Sequence, residues 1–310
     1  MFKQLGVIGC GLMGGSFALA LRRAGLVRQV VGYSKSPSTT ERAKQLGVID
    51  QAAESAMQAA AGCDLVLVAV PVLAIEATFK TILMGLDSNT LLMDVGSTKQ
   101  DVVDSARRVL KNRLANFVPA HPIAGSERAG VAHADGALYQ QRQVVLTPLA
   151  ETRPDLVDKA EAAWRAVGAQ VVRMTPESHD AAFAAVSHLP HLLAFACFNA
   201  VAKQPAGPEY LALAGPGFRD FTRIAASDPT VWRDILLANR DEVLRQAMRF
   251  RYVLDAMEHV MRTGNAQALE DMIRQAAEAR GNWQMGGTTP TNPGANAPAN
   301  AAGGSPAKGV

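Results

Sequence analysis

The sequence predicts an α/β domain with a doubly wound parallel sheet, followed by an all-α domain. Up to Met174, short apolar runs alternate with alanine-rich helical patterns, as in parallel strands joined by right-handed crossover helices. A glycine-rich turn directly follows the first apolar run. Beyond Met174 the patterns are helical only. We therefore predict a first domain over residues 1–174 and a second over residues 175–281.

The predicted elements follow in chain order. The strands are LGVIG, QVVGY, DLVLVAV, TLLMDV, NFVPAHP, QVVLTP and AQVVRM. The second domain begins at TPESHD, where Thr175 is a helix cap and Pro176 occupies the first turn. Residues 282–310 are rich in Gly, Pro, Ala and Asn without periodicity, which predicts a disordered tail.

Composition excludes several classes of function. The 310 residues carry a net charge of only +3, and basic residues alternate with acidic ones, so we expect no nucleic-acid and no membrane partner. The apolar run HLLAFACFNAVA falls far short of the roughly 20 residues that span a bilayer, and predicts a buried helix. The isolated cysteines and the lack of a secretory pattern predict a reduced, cytoplasmic protein.

The glycine-rich turn has the spacing G-x-G-x-x-G between a strand and a helix. In this context the glycines permit a tight turn, and a pyrophosphate can approach the free N–H groups of the helix N-terminus. We therefore predict a Rossmann-like dinucleotide site rather than a turn that only packs the helix on the strand. The predicted contacts are Gly9, Gly11, Leu12, Met13, Gly14, Val70 and Pro71.

The end of the second strand predicts which dinucleotide is bound. An NAD site usually has Asp or Glu about 20 residues after the glycines, to accept from the ribose hydroxyls. Here Ser34 and Lys35 follow the strand, and a hydroxyl with an ammonium group suits the 2′-phosphate of NADP. NADP is the predicted cofactor and NAD the alternative. A solvated turn would present the same residues.

Further motifs place polar groups outside regular structure. They are DVGSTK, HPIAGSE, SHLPH and FRDFTRIAASDP, the last followed by Trp232. With the glycine turn they span roughly residues 3–280, and together they resemble the prephenate/arogenate dehydrogenase family of tyrosine biosynthesis. The resemblance implies an oxidative decarboxylation of a small molecule: hydride leaves the ring carbon that bears the hydroxyl, the ring carboxylate departs as CO2, and the ring becomes aromatic.

The resemblance also implies the site. His121 would be the base that takes the hydroxyl proton, a role that suits a neutral histidine near pH 7, and Ser97 would orient it or the hydroxyl. Arg223 would bind a substrate carboxylate, and Glu127 would pair with it as a gate. Trp232 would reach in from a partner subunit, which implies a homodimer through a helical domain like that of 6-phosphogluconate dehydrogenases. The implied substrate contacts are Arg223, His191, Ser126, Glu127 and Trp232.

Two further histidines, His179 and His188, are given no catalytic role, and two other classes of function stay open as alternatives. His179 lacks a partner pattern and is expected to be structural or exposed, His188 is expected to cap the helix that follows it, and no metal site is predicted. The alternatives are a 3-hydroxyacid or 6-phosphogluconate type of dehydrogenase and an NADPH-binding regulator without activity. The former type relies on a lysine base, but Lys203 is the only lysine between Met174 and Arg280.

Overall fold

The structure, a computed structural model, describes residues 1–125 and 129–284. Its contacts divide the chain into a compact unit from Met1 to Leu254 and a second unit that begins at Asp255. Every described residue of the candidate site belongs to the first unit. The predicted residues Ser126 and Glu127, and the predicted tail from residue 285 onward, lie outside the described residues, and the boundary placed between residues 174 and 175 stays a prediction.

The first half of the chain forms a six-stranded parallel sheet with the order β3-β2-β1-β4-β5-β6. The chain winds outward from the central strand in both directions, so the predicted doubly wound sheet is confirmed. The strands are β1 (Phe2–Ile8), β2 (Val27–Tyr33), β3 (Gln51–Ala52), β4 (Leu65–Val68), β5 (Leu91–Asp94) and β6 (Phe117–Val118). The helices between them are α1 (Leu12–Arg23), α2 (Pro37–Gln45), α3 (Ala56–Ala60), α4 (Ile75–Ile82) and α5 (Gln100–Leu110).

The run NFVPAHP, predicted as one strand, is divided between two sheets. Pro119 has no N–H to donate and ends the pairing of β6, while its carbonyl accepts from Thr147 N at 3.0 Å. The chain then enters a second, three-stranded sheet, in which β7 pairs antiparallel with β8 and β8 pairs parallel with β9. This sheet positions His121 on a strand. Its elements are β7 (Ala120–Pro122), β8 (Gln143–Leu146), α6 (Pro154–Ala166) and β9 (Gln170–Arg173).

The rest of the described chain is helical, as predicted. Thr175 begins the first of these helices by accepting from Ser178 N at 3.2 Å, and Pro176 follows it in the first turn, which confirms the predicted start. A π-helical turn, Ala184–His188, joins α7 to α8. The helices are α7 (Pro176–Phe183), α8 (Leu189–Ala202), α9 (Gly207–Ala212), α10 (Pro216–Thr222), α11 (Pro229–Ala238), α12 (Arg240–Arg262) and α13 (Ala266–Asn282).

The prediction that HLLAFACFNAVA is a buried helix is wrong, because only Leu189 and Ala194 of α8 are buried. Apolar composition does not reveal which faces other elements cover. The continuous stretch Pro176–Ala202 is 27 residues long, with a mean hydropathy of 1.6, so length and composition alone would allow it to cross a membrane. One such helix is weak evidence for a span. Its polar residues His179, Asp180 and His188 are buried against the rest of the first unit.

Candidate active site

The glycine turn between β1 and α1 has the geometry that a dinucleotide requires. Gly9 has a φ of +101°, and a Cβ there would lie 2.2 Å from Ala69 O. A Cβ on Gly14 would lie 2.2 Å from Gly9 O, so the helix can pack this closely only on glycine. At Gly11 a Cβ would point into open space, which is where the pyrophosphate would approach. No side chain caps α1, which leaves the N–H groups of its first turn to an anionic ligand.

Two adjoining cavities form a groove along this turn. The first, of about 370 Å³, is lined by Gly11, Leu12 and Met13 on one side and by Ser97 on the other. The second, of about 670 Å³, extends past Gly9 to Ser34 and Lys35 at the end of β2. Val70 and Pro71 line both cavities. The structure thus brings the predicted cofactor residues together around one groove, with Gly14 closing the turn behind it, and these residues fit a nicotinamide dinucleotide.

Ser34 is held in place at the adenosine end of this groove. Its Oγ accepts from Cys10 N at 2.9 Å, and its own N–H donates to Thr40 Oγ1 at 2.9 Å. The hydroxyl hydrogen of Ser34 is therefore left to a further acceptor. Lys35 is exposed beside it. A hydroxyl donor and a cation thus stand at the position where an NAD site usually carries a carboxylate.

A buried ion pair fixes the loop after β5 against β7. The side chains of Lys99 and Asp94 are fully buried, and Lys99 Nζ donates to Asp94 Oδ2. Asp94 Oδ1 in turn accepts from Ala120 N at 3.0 Å. The segment that carries Ser97 is thereby tied to the strand residue that precedes His121. Neither charged residue was predicted to have a role, although DVGSTK contains both.

His121 is buried and bonded to a second histidine. Its Nδ1 lies 2.8 Å from Nε2 of His179 on α7, and Nδ1 of His179 lies 2.7 Å from Asp180 Oδ1. His179 is fully buried. Of the two expected environments, structural or exposed, His179 is thus buried, and the sequence shows no partner pattern because its partner is remote along the chain. Burial lowers the pKa of both imidazoles, and for His121 unfavourable electrostatic interaction with His179 and with the Lys99 ammonium lowers it further.

The substrate residues implied by the resemblance line a larger cavity of about 820 Å³. Its wall includes His121, His191, Arg223 and Trp232. Ser97 does not line this cavity but the neighbouring cofactor groove. Gly125, Ser227 and Trp232 line both spaces, so the substrate cavity adjoins the nicotinamide end of the groove. A ligand in this cavity can therefore meet both His121 and a bound cofactor.

Trp232 reaches this cavity from its own chain. Its ring stacks on His191 with the centroids 3.4 Å apart and the planes 18° apart. Within the one chain, α11 thus carries the indole to the site. The expectation that Trp232 reaches in from a partner subunit stays a prediction. His191 Nδ1 donates to Ser187 O at 2.9 Å. Burial lowers the pKa of His191, and the charge of Arg223 lowers it further, so a neutral ring forms this wall.

His188 was expected to cap α8, but it is buried and makes no cap hydrogen bond. Its Nδ1 accepts from Asn239 Nδ2 at 3.1 Å, and Asn239 Nδ2 also donates to Asp180 O at 2.8 Å. Burial lowers the pKa of His188 to about 4. Asn239 thus joins the end of α11 to Asp180 and His188 of the α7–α8 stretch.

Two family models match consecutive parts of the chain. Residues 17–173 match the family model described as prephenate dehydrogenase, nucleotide-binding domain, and residues 175–275 match the one described as prephenate dehydrogenase, dimerization domain. The chain is 34% identical over 274 residues to prephenate dehydrogenase of Bacillus subtilis, which covers 88% of this chain and 74% of the relative. It is 31% identical over 283 residues to cyclohexadienyl dehydrogenase of Zymomonas mobilis, covering 90% and 96% of the two chains.

A solved structure shows the same fold. It is prephenate dehydrogenase from Aquifex aeolicus in complex with hydroxyphenyl propionate and NAD+, which aligns with a TM-score of 0.85 and 33% identity. The alignment covers 90% of this chain and 98% of that one. The chain belongs to the prephenate dehydrogenase family, NAD-dependent oxidoreductases that carry out an oxidative decarboxylation in tyrosine biosynthesis.

Proposed function

We propose that the chain oxidatively decarboxylates prephenate, arogenate or both, with NADP+ as the preferred cofactor and His121 as the base. One observation carries the assignment of the base. The buried, neutral imidazole of His121 lines a cavity that holds a guanidinium group and adjoins the cofactor groove. A secondary alcohol bound there would have a proton acceptor on one side and the nicotinamide end of the groove on another.

The proposed chemistry needs only one proton acceptor. A nicotinamide cofactor held in the groove would supply the hydride acceptor. His121 takes the hydroxyl proton as the ring C–H bond breaks, so that a carbonyl forms at that carbon. The bond to the ring carboxylate then breaks, CO2 leaves, and its electron pair makes the ring aromatic with a phenolate oxygen. His121 returns its proton to that oxygen, so no net proton leaves the site and no Lewis-acidic metal is required for the balance.

The charges of the cavity match those of the substrate. Prephenate carries two carboxylates, and Arg223 presents the fork of N–H donors that binds a carboxylate in a bidentate manner. We assign Arg223 to the ring carboxylate and the His191–Trp232 stack to the side chain. Ser97, at the nicotinamide end, would orient the hydroxyl. Ser126 and Glu127 stay predicted contacts of the loop that borders the cavity.

The preference for NADP+ rests on Ser34 and Lys35 at the end of β2. Ser34→Asp should reverse or abolish it, because a carboxylate repels the 2′-phosphate and accepts from ribose hydroxyls instead. An aspartate there can still accept from Cys10 N, so the turn should persist. The measurement is the ratio of kcat/KM with NADP+ to kcat/KM with NAD+. We expect this ratio to fall at least about 10-fold, the loss of one charge-assisted hydrogen bond.

Ser38→Asp is the matched control, because Ser38 is an exposed serine whose Oγ lies 2.8 Å from Ser36 Oγ and does not line the groove. It adds the same charge close by. If both variants changed the ratio equally, the effect would be one of net charge. If Ser34→Asp left the ratio unchanged, the serine and lysine would not select the cofactor.

We also propose a homodimer formed through the helices. The helices of the first unit expose large apolar side chains, and the family model that covers them is described as a dimerization domain. These side chains include Phe198, Phe221, Leu237, Leu244 and Met248. Sedimentation equilibrium should give twice the 32.8 kDa chain mass at micromolar concentration. A monomeric mass there would contradict the dimer.

Cofactor reduction followed at 340 nm tests the proposed function. Prephenate and arogenate are each supplied with NADP+ and with NAD+, and the aromatic product and CO2 are quantified in the same reactions. Turnover with at least one pair of substrates, at one CO2 per reduced cofactor, is the expected result. Protein that binds the cofactor but turns over neither substrate would overturn the proposal and favour a regulator or a hydroxyacid dehydrogenase.

A further inference from the structure

We infer that His179 and Asp180 are positioning residues that fix the tautomer of His121 and so leave its Nε2 unprotonated for the substrate. This inference rests on the proposed function of His121 as the base. It adds two residues for which neither the sequence motifs nor the family comparison supplies a role. A chain of hydrogen bonds supports it, which runs from Asp180 to His179 and from His179 to His121.

The first link is a carboxylate that can only accept. Asp180 Oδ1 accepts from Lys99 N at 2.8 Å, and Asp180 Oδ2 accepts from Gln100 N at 2.9 Å. These N–H groups begin the 11-residue helix α5, whose dipole favours a negative charge at this end. Asn239 Nδ2 holds the main chain by donating to Asp180 O. With N–H donors directed at both oxygens, the carboxylate presents lone pairs to His179.

The second link is the tautomer of His179. Because Asp180 Oδ1 accepts, Nδ1 of His179 must donate across their 2.7 Å contact. Burial lowers the pKa of His179, so the ring is neutral near pH 7 and carries a single N–H proton. Nε2 of His179 then carries no hydrogen and presents a lone pair.

The third link transfers this constraint to the base. The lone pair on His179 Nε2 lies 2.8 Å from His121 Nδ1, so Nδ1 must donate and carries the single proton of the neutral His121 ring. His121 Nε2 is then the basic nitrogen. The carboxylate of Asp180, acting through a histidine 58 residues away from His121 along the chain, therefore decides which nitrogen of His121 can accept the substrate proton, in the way that a buried carboxylate orients the histidine of a catalytic triad.

Packing is the competing explanation, because the rings also touch aromatic neighbours. Phe183 lies with its centroid 4.8 Å from that of His121 and 4.5 Å from that of His179. His179 could thus act only by filling space. Two substitutions separate these roles. His179→Phe keeps a flat ring beside Phe183 but offers no acceptor, whereas His179→Gln packs less well but offers an amide oxygen to His121 and an amide N–H to Asp180.

The test combines kinetics with the tautomer itself. With saturating cofactor, His179→Phe should lower kcat by about 10²-fold or more, as a wrong histidine tautomer does in a catalytic triad, with KM for the substrate nearly unchanged. His179→Gln should recover much of this loss. Long-range ¹H–¹⁵N correlation spectra of ¹⁵N-histidine-labelled protein should show the Nδ1–H tautomer of His121 in the wild type and in His179→Gln, but a shift toward the Nε2–H tautomer in His179→Phe.

If His179→Phe kept wild-type kcat, or if His179→Gln were the poorer enzyme of the two, packing would explain the residue and the inference would be wrong. An Nε2–H tautomer of His121 in the wild type would overturn it directly. Should the wild type turn over no substrate, the proposed function would fail, while the spectra would still report whether the relay sets the tautomer. Thermal unfolding and cofactor binding of both variants verify that they are folded.

Discussion

His121→Asn should lower kcat by about 10²–10⁴-fold, the range that a positioned general base contributes. The hydroxyl proton must leave as the hydride departs, and among the described residues that line the substrate cavity His121 is the one bonded into a buried polar chain. Asparagine is smaller than histidine and can still bond to His179, so the strand should keep its place. Steady-state kinetics with prephenate and with arogenate measure the effect, and KM for the cofactor should stay within about 3-fold because the substituted side chain lies outside the groove.

The matched control is His133→Asn, because His133 is an exposed histidine in another loop of the same unit. It should leave kcat within about 2-fold, as exposed substitutions usually do. A dependence on pH provides a second check. Burial holds the pKa of His121 well below 6.5, so the base stays neutral as the pH falls through 6.5 and is lost only below it. An acid limb in kcat/KM at or above pH 6.5, or full activity in His121→Asn, would remove His121 from this role.

The fold was predictable where local patterns and tertiary structure agree. Buried parallel strands are continuous apolar runs, and the glycine turn leaves few alternatives between a strand and a helix. The prediction failed where the pattern is ambiguous. NFVPAHP reads as one strand because it is apolar throughout, but Pro119 cannot donate to a ladder, and the chain changes sheets there. For α8, composition could not tell which faces the unit leaves uncovered.

The site was predictable as a set of motifs but not as a network. His121, His191, Arg223 and Trp232 do line one cavity. His179 was missed because the ring that binds it lies 58 residues earlier, and no local spacing marks such a pair. A signal was present in the sequence: an adjacent histidine and aspartate in the first turns of an apolar helix, where charged residues are rarely buried without partners.

Arg223→Gln should lower kcat/KM for prephenate by about 10²-fold, mainly through KM. The substitution leaves the ring carboxylate of the substrate without its cation, and breaking one partner of a close charge pair costs about 2–5 kcal/mol. Arg223 lies on an open cavity wall, where solvent screens its charge, so we expect a cost in binding free energy toward the lower end of this range. Arg223→Lys retains the charge but not the fork of donors, so it should fall between wild type and Arg223→Gln.

Arg219→Gln separates a specific contact from a change in net charge. Arg219 lies one helical turn earlier, is exposed, and donates to Asp220 Oδ1 at 3.0 Å without lining the cavity. The Arg219→Gln substitution removes the same charge as Arg223→Gln. An exposed ion pair contributes little free energy, so kcat/KM should stay within about 2-fold of the wild-type value. An equal loss in both glutamine variants would mean that the general field of this helix attracts the substrate. If Arg223→Gln had no effect while His121→Asn was inactive, the carboxylate would bind elsewhere in the cavity and the base would keep its role.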